Sequence, residues 1–219
     1  MDHHAQTAGM TRREAILRAS ALLGGATIVG GERVLAMSFD SGALDRAQAQ
    51  GAGGFTAPDI ALLDEIADTI LPDTSTPGAK AARTGAFMAL MVTAVYTERD
   101  QQVFRDGMRQ LDEACRSATA VSFMQATPSQ RLALLEVLDR EQKTAMEERA
   151  HAPRSRAPAA PPDDDRPAHY FRMMKELALL GYFTSEIGCT RAMRYVETPG
   201  RYDPCAPHAQ GDKSWAAHA

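Results

Sequence analysis

Residues 56–72 of the sequence read TAPDIALLDEIADTILP and carry the signals of one complete helix. Thr56 is a favourable N-cap, and Pro58 suits the first turn. Pro72 cannot continue a helix, so we predict that the helix ends at about residue 71. The apolar residues that recur at spacings of three and four, and so share one buried face, are Ile60, Leu63, Ala67 and Ile70.

The same stretch contains three acidic residues, Asp64, Glu65 and Asp68. Paired carboxylates can serve as a general acid and base. A row of charges opposite an apolar face is more typical of a solvated helix surface. We therefore predict that these three side chains point outward into solvent, and we assign no catalytic residue.

Four further helices are predicted downstream from the same periodicity and capping signals. The fourth helix begins with a capping box, because Thr127 is followed by Pro128 and, at the third position, by Gln130. The predicted ranges are 57–71, 85–96, 100–117, 127–149 and 168–182, followed by a short helix over 185–188 that Thr184 caps. After Tyr195 the chain is predicted to be extended coil.

The composition agrees with one all-α domain. The chain has 219 residues, of which 44% are hydrophobic and only 6% aromatic, with 11 Met. That length can enclose one sizeable core. We predict a single helical domain over 55–219, interrupted at 151–167 by a Pro- and Asp-rich loop insertion that cannot form a core. The formal net charge of −4, without a basic stripe, argues against nucleic acid as a partner.

The first 36 residues are typical of an export signal. Arg12 and Arg13 precede an apolar stretch that reaches Val29, and small residues follow it. Paired arginines indicate the twin-arginine route, and Ala36 is a candidate cleavage site. Two alternatives stay open: a chance arginine pair at the start of an ordinary helix, and an uncleaved leader that anchors the chain in the membrane. The small, polar residues 37–54 are predicted to form a flexible tether.

No catalytic or metal-binding motif stands out in the sequence. The six histidines do not pair at a spacing suited to a metal site, and no glycine-rich dinucleotide fingerprint follows a strand. An acidic run, Asp163 to Asp165, lacks the glycine and the spaced ligands of a calcium loop. We therefore expect this chain to hold neither a metal nor a cofactor of its own.

The C-terminal segment is the most distinctive part of the chain. Aromatic residues alternate there with glycine and proline, which predicts an irregular aromatic surface. This surface either closes the protein's own core or anchors a partner, since Tyr and Arg are enriched at binding hot spots. The residues assigned to a partner interface are Tyr182, Phe183, Tyr195, Arg201 and Tyr202.

Three cysteines remain, and an odd number cannot all pair within one chain. Cys115 lies on a helical core face and is predicted to be a buried thiol. Cys189 and Cys205 belong to the C-terminal segment. An oxidising compartment would allow them to pair with each other or one of them to bridge to another subunit, and free buried thiols are the third alternative.

Two motifs resemble a known family, that of gluconate 2-dehydrogenase subunit 3. The first is residues 67–82, ADTILPDTSTPGAKAA, and the second combines residues 181–188, GYFTSEIG, with residues 199–202, PGRY. With the leader included, the resemblance covers nearly the whole chain. The insertion at 151–167 and Pro204, where the family pattern has Gly, depart from it.

The resemblance implies a non-catalytic small subunit of a periplasmic, membrane-associated sugar or sugar-acid dehydrogenase. The large subunit would be a flavoprotein of the glucose–methanol–choline type that binds FAD, and a multihaem cytochrome c would be a third subunit. The small subunit would escort the folded flavoprotein through twin-arginine export and stabilise it. A membrane-anchored periplasmic adaptor and an independent periplasmic enzyme are the alternatives. Membrane association would be indirect or through an uncleaved leader.

Overall fold

The computed structural model describes residues 41–151, 168–196, 200, 205, 207 and 209–216. Within these residues the secondary structure is helical, apart from two isolated β-bridges, which confirms the all-α prediction. The predicted leader, residues 37–40 of the tether, the insertion from residue 152 onward, and Arg201 and Tyr202 lie outside the described residues. The helices are α1 (Ser41–Gln50), α2 (Ala57–Ile70), α3 (Thr84–Val95), α4 (Glu98–Thr119), α5 (Pro128–His151) and α6 (Tyr170–Phe183), followed by a π-helical turn, Gly188–Ala192.

Helix α2 is the centre of the fold and begins as predicted. The Thr56 hydroxyl accepts the backbone N–H of Asp59, and the Asp59 carboxylate accepts the backbone N–H of Thr56, which completes a capping box. Ile60, Leu63 and Ile66 are fully buried. Helix α2 packs against α1, α3, α5 and α6, so most of its circumference is enclosed by protein.

Helix α1 corrects the prediction of a flexible tether. Residues 41–50 are helical and pack against both α2 and α3. Ala43 and Ala47, four residues apart, are buried on one face. Small alanine side chains allow close helix packing but add little hydrophobicity, which is why a composition rich in small and polar residues was mistaken for a tether.

The remaining helices form where the sequence predicts them, within a few residues at each end. Thr97 caps α4 by accepting the N–H of Asp100, and Thr127 and Gln130 form the predicted box at the start of α5. Helix α6 starts two residues later than predicted because His169 is its N-cap, accepting the N–H of Phe171 on Nδ1. Local signals therefore located the helix ends well.

Helix α6 joins the two longest helices to the core. It packs against α2, α3, α4 and α5. Its residues Phe171, Met174 and Leu177 are buried. Lys175 of α6 and Lys143 of α5 both bind the Asp139 carboxylate, with N···O distances of 2.6 and 2.8 Å, and together they hold its pKa well below the usual range. The Lys175–Asp139 pair links α6 to α5, whereas the Lys143–Asp139 pair lies within α5.

Candidate partner-binding surface

The three acidic residues of α2 do not form the solvated face that the sequence predicted. Asp64 is only 2% exposed. Its carboxylate accepts hydrogen bonds from the Gly85 N–H at 2.8 Å and from Gln48 Nε2 at 2.7 Å. Burial raises the pKa of Asp64, and these two hydrogen bonds oppose that shift. The prediction was wrong because α1, absent from the predicted fold, covers this side of α2.

Glu65 and Asp68 are also engaged within the fold. Lys80 and Arg131 both pair with the Glu65 carboxylate. Burial by itself would raise the pKa of Glu65, but these two cations lower it. Asp68 Oδ1 accepts the backbone N–H of Lys80 at 3.1 Å. The carboxylates thus connect α2 to its neighbours and fold the loop that follows it.

Tyr182 and Phe183, neighbours at the end of α6, face in opposite directions. Tyr182 is 4% exposed, and its hydroxyl donates to the Pro77 carbonyl oxygen at 2.7 Å. Phe183 is 38% exposed and packs edge-on against the Tyr182 ring at a centroid distance of 5.1 Å. Tyr182 therefore belongs to the protein's own core and ties the loop after α2 to α6. Phe183 has surface to offer a partner.

A π-helical turn, Gly188–Ala192, follows α6 and packs against it. The Ser185 hydroxyl, and not the predicted Thr184, accepts the N–H of Gly188 at 3.0 Å. Thr184 instead donates to the Leu180 carbonyl oxygen of the preceding turn. A Cβ at Gly188 would lie 1.9 Å from the Tyr182 carbonyl oxygen, so only glycine fits. Met193 and Arg194 after the turn are half-buried, and Tyr195 and Val196 are exposed.

Trp215 is a surface residue that sequence reasoning missed. Its segment returns to the π-helical turn through a parallel bridge to Arg194. The Arg194 guanidinium carbon lies 4.5 Å from the centroid of the indole. The sequence did contain a signal for it: a single tryptophan lies within a polar tail, and Trp is among the residue types most enriched at binding hot spots.

Five of the nine large apolar residues that are exposed in the described part of the chain lie between residues 180 and 215, from the end of α6 onward. We refer to the following five as the C-terminal apolar set: Leu180, Phe183, Tyr195, Val196 and Trp215. Tyr195 is thus exposed at the position predicted for a partner contact, whereas Arg201 and Tyr202 lie outside the described residues. The participation of these residues in an interface stays a prediction.

The cysteines occupy three different environments. Cys115 is fully buried on α4, as the periodicity predicted. Cys189 is half-buried and its Sγ donates to the Phe183 carbonyl oxygen at 3.3 Å. Cys205 is exposed. Because Cys189 is half-buried and Cys205 is exposed, the alternative of two buried thiols is wrong, and the pairing of these cysteines with each other or with another subunit stays a prediction.

Metal sites, clefts and membrane spans are the other features that could carry a function. Among 41–151, 168–196 and the C-terminal residues described, no group of three His, Cys, Asp or Glu side chains could hold a metal ion. A cleft of about 470 Å³ beside Phe55 and Met108 is rimmed by arginine and acidic side chains of α4. In the same ranges, none of the helices is long and apolar enough to cross a membrane.

Comparison with known proteins gives one match. The family model described as gluconate 2-dehydrogenase subunit 3 matches residues 57–200. The matched range begins with α2 and contains the 67–82 and 181–188 motifs in full. No curated protein and no solved structure matches the chain.

Proposed function

The chain belongs to the gluconate 2-dehydrogenase subunit 3 family, and from this premise we propose that it is the small, non-catalytic subunit of a flavin-dependent sugar or sugar-acid dehydrogenase. The family match carries the proposal, because it spans the whole described core from α2 to the π-helical turn. The family name itself implies a partner dehydrogenase subunit. Substrate specificity and FAD would reside in that large subunit.

The hydrogen bonds and ion pairs that the acidic residues of α2 make within the fold support a structural role for them. Asp64, Glu65 and Asp68 are the carboxylates that most resemble a catalytic group in the sequence. Each accepts hydrogen bonds from neighbouring elements, and Asp64 is buried. A general base needs access to a substrate proton, which a carboxylate enclosed by α1 and α3 lacks.

The C-terminal apolar set supports a partner-binding role. A stable complex needs an interface above roughly 1,000 Å², with a few aromatic anchors at its centre. Phe183, Tyr195 and Trp215 are exposed aromatic residues that follow one another in the C-terminal segment. We assign this segment to the contact with the flavoprotein.

The leader supports a second role as an export escort. The twin-arginine route carries folded cargo, so a flavoprotein that binds FAD and folds in the cytoplasm could leave on the signal of its small subunit. Arg12 and Arg13 would supply that signal. The complex would then reside in the periplasm, peripheral to the inner membrane, where a multihaem cytochrome c would accept its electrons.

Affinity purification of the tagged full-length chain from its native host tests the proposal. We expect a second, larger polypeptide to co-purify, to carry the visible absorbance of flavin, and to oxidise a sugar or sugar acid with an artificial electron acceptor. A tagged chain of unrelated sequence with the same leader is the control. Recovery of the chain alone, as a stable colourless monomer, would contradict the proposal, as would flavin bound to the chain itself.

A further inference from the structure

The only tryptophan of this chain is exposed, although hydrogen bonds hold the backbone on both sides of it. Trp215 has 56% of its surface exposed. Its neighbours hold the backbone in place: the Arg194 N–H donates to the Ser214 carbonyl oxygen at 2.8 Å, and the Ala216 N–H donates to the Arg194 carbonyl oxygen at 2.8 Å. These two hydrogen bonds join the Trp215 segment to the chain at Arg194 and so set the position of the indole.

Side chains around the bridge fix the indole further. The Arg194 guanidinium covers one part of the ring at 4.5 Å, and Ala216 is buried against the domain. The Lys213 ammonium donates to the Arg191 carbonyl oxygen. These contacts hold the Trp215 backbone and part of its ring and leave the larger part of the indole in solvent.

An indole held in this way has the properties of an interface anchor. Burying an aromatic side chain of this size removes roughly 150–250 Å² from water. Ordering a segment normally opposes binding, and a segment that is already ordered avoids much of that entropic cost. Trp and Arg, here stacked on each other, are two of the three residue types most enriched at hot spots.

The local charge indicates the chemistry of the partner surface. Arg194 stacks on the indole, and Lys213, two residues before Trp215 in the chain, donates to the Arg191 carbonyl oxygen. Asp212 is the acidic neighbour in the same segment. The whole chain, in contrast, has a net charge of −4. An apolar pocket with an acidic rim would complement this end of the molecule, because opposite charges favour encounter and correct register.

We propose that Trp215 is the anchor that this chain inserts into an acidic-rimmed apolar pocket on the dehydrogenase subunit. This inference rests on the proposed function, and it locates the contact outside the range that the family match covers, which ends at residue 200. Tyr195 and Val196, which follow Arg194 in the chain and are exposed, would extend the contact.

Photo-crosslinking in the native host tests the position of the anchor. Trp215 is replaced by p-benzoylphenylalanine in the full-length tagged chain, and Leu132 of α5, an exposed apolar residue of another element, is replaced in the same way as the control. We expect irradiation to link position 215, and not position 132, to the flavin-carrying subunit. If the wild-type complex forms but position 215 gives no link, the inference fails and the proposed function stands. If the wild-type chain forms no complex, both fail.

Affinity provides the second measurement. Trp215→Ala should weaken the complex by roughly 30-fold or more, as expected for a hot-spot truncation. Trp215→Phe should recover part of this loss, and Leu132→Ala should leave the Kd within a few-fold of wild type. Far-UV circular dichroism and the urea midpoint should be unchanged in all three variants, since these residues are not part of the core. An unchanged Kd for Trp215→Ala would overturn the inference.

Discussion

Asp64 of α2 caps the N-terminus of α3, because its Oδ1 accepts the backbone N–H of Gly85 at 2.8 Å. The N-cap position of α3 itself is occupied by Arg83, which has a left-handed backbone with φ 55° and provides no side-chain cap. A free helix N-terminus has unpaired N–H groups and favours a nearby negative charge. A carboxylate from a different helix meets both needs.

Removing this carboxylate should destabilise the domain. Asp64→Ala leaves the buried Gly85 N–H unpaired, for which we expect a loss of about 1–3 kcal/mol in the free energy of unfolding. Asp64→Asn keeps the acceptor. Its amide N–H₂ can donate to Gln48 Oε1, a buried atom with no hydrogen-bond partner among the described residues, once the Gln48 amide rotates. Urea denaturation checks both variants, and equal losses would contradict this account.

Because the pKa of Asp64 is raised, the difference in stability between wild type and Asp64→Asn should depend on pH. A carboxyl whose pKa is higher in the folded protein than the ordinary 3.8 binds its proton more tightly when folded. Its contribution to stability is therefore complete below the ordinary pKa and is lost as pH rises through the folded value. We expect Asp64→Asn to gain stability relative to wild type as the pH rises from about 4 through the folded pKa of Asp64. A constant difference across that range would be evidence against the raised pKa.

Gly85 allows α3 to approach α2 closely. A Cβ at this position would lie 2.6 Å from Asp64 N and 2.6 Å from the Ile60 carbonyl oxygen, both backbone atoms that cannot rotate away. Gly→Ala within a helix ordinarily stabilises by up to about 1 kcal/mol. Here we expect Gly85→Ala to destabilise by about 1–3 kcal/mol. Thermal unfolding shows whether Gly85→Ala lowers the stability of the domain, as we expect, or raises it.

Gly181 of α6 is the matched control for Gly85. A Cβ there would meet the ring of Phe87 at 2.6 Å, and a side chain can adjust where a backbone cannot. Gly181→Ala should therefore cost less than Gly85→Ala. The reverse order would show that backbone proximity does not decide the cost.

His169 makes the start of α6 sensitive to acid. Its Nδ1 can accept the Phe171 N–H, at 3.2 Å, only while the ring is neutral. Burial lowers the pKa of His169 below 6.5, and nearby Glu141 opposes that shift. Because the folded pKa is lowered, the cap contributes fully above 6.5 and is lost as pH falls through the folded value.

The His169→Asn variant separates this effect from other titrations. Asn is a favourable N-cap that does not ionise in this range. We expect the urea midpoint of wild type to fall more steeply between about pH 7 and pH 5 than that of His169→Asn. If the urea midpoints of the two proteins change in parallel with pH, the His169 cap is not the source of the acid sensitivity.

Variants of Tyr182 and Phe183 should differ in their effects on the stability of this chain and on its binding to the partner. Tyr182→Phe removes the hydrogen bond to the Pro77 carbonyl oxygen and should cost about 1 kcal/mol of stability, with little effect on the complex. Phe183→Ala removes the edge-on contact with the Tyr182 ring, which should cost about 0.5–1.5 kcal/mol of stability, and should also weaken the complex. Unfolding midpoints and co-purification yields distinguish the two. If Tyr182→Phe weakens the complex more than Phe183→Ala does, the assignment of these neighbours is wrong.

The leader can be tested by changing Arg12 and Arg13 together to Lys. Twin-arginine export depends on the arginine pair. We expect both this chain and the flavoprotein to accumulate in the cytoplasm, as measured by fractionation and immunoblotting. A periplasmic protein with its own leader is the control. If the flavoprotein still reaches the periplasm, it leaves by another route.

The helices were predictable because their signals are local. The boxes at Thr56 and Thr127 join residues only three positions apart, and the apolar stripe of α2 follows from helix geometry alone. Cys115 was assigned to the core on the same basis and is fully buried. The family resemblance was likewise carried by short motifs, and the family match over 57–200 confirms it.

The sequence by itself therefore determined the all-α class, the ends of most helices and the family, since each depends on residues close together along the chain. The tertiary structure alone decided which polar groups are buried. Asp64 looks solvated on an isolated α2 and is enclosed because α1 and α3 pack over it. Trp215 is held at the surface by Arg194, twenty-one positions earlier. Whether a side chain is buried or exposed depends on which helices and segments pack together in the folded protein, and a local sequence pattern does not contain that information.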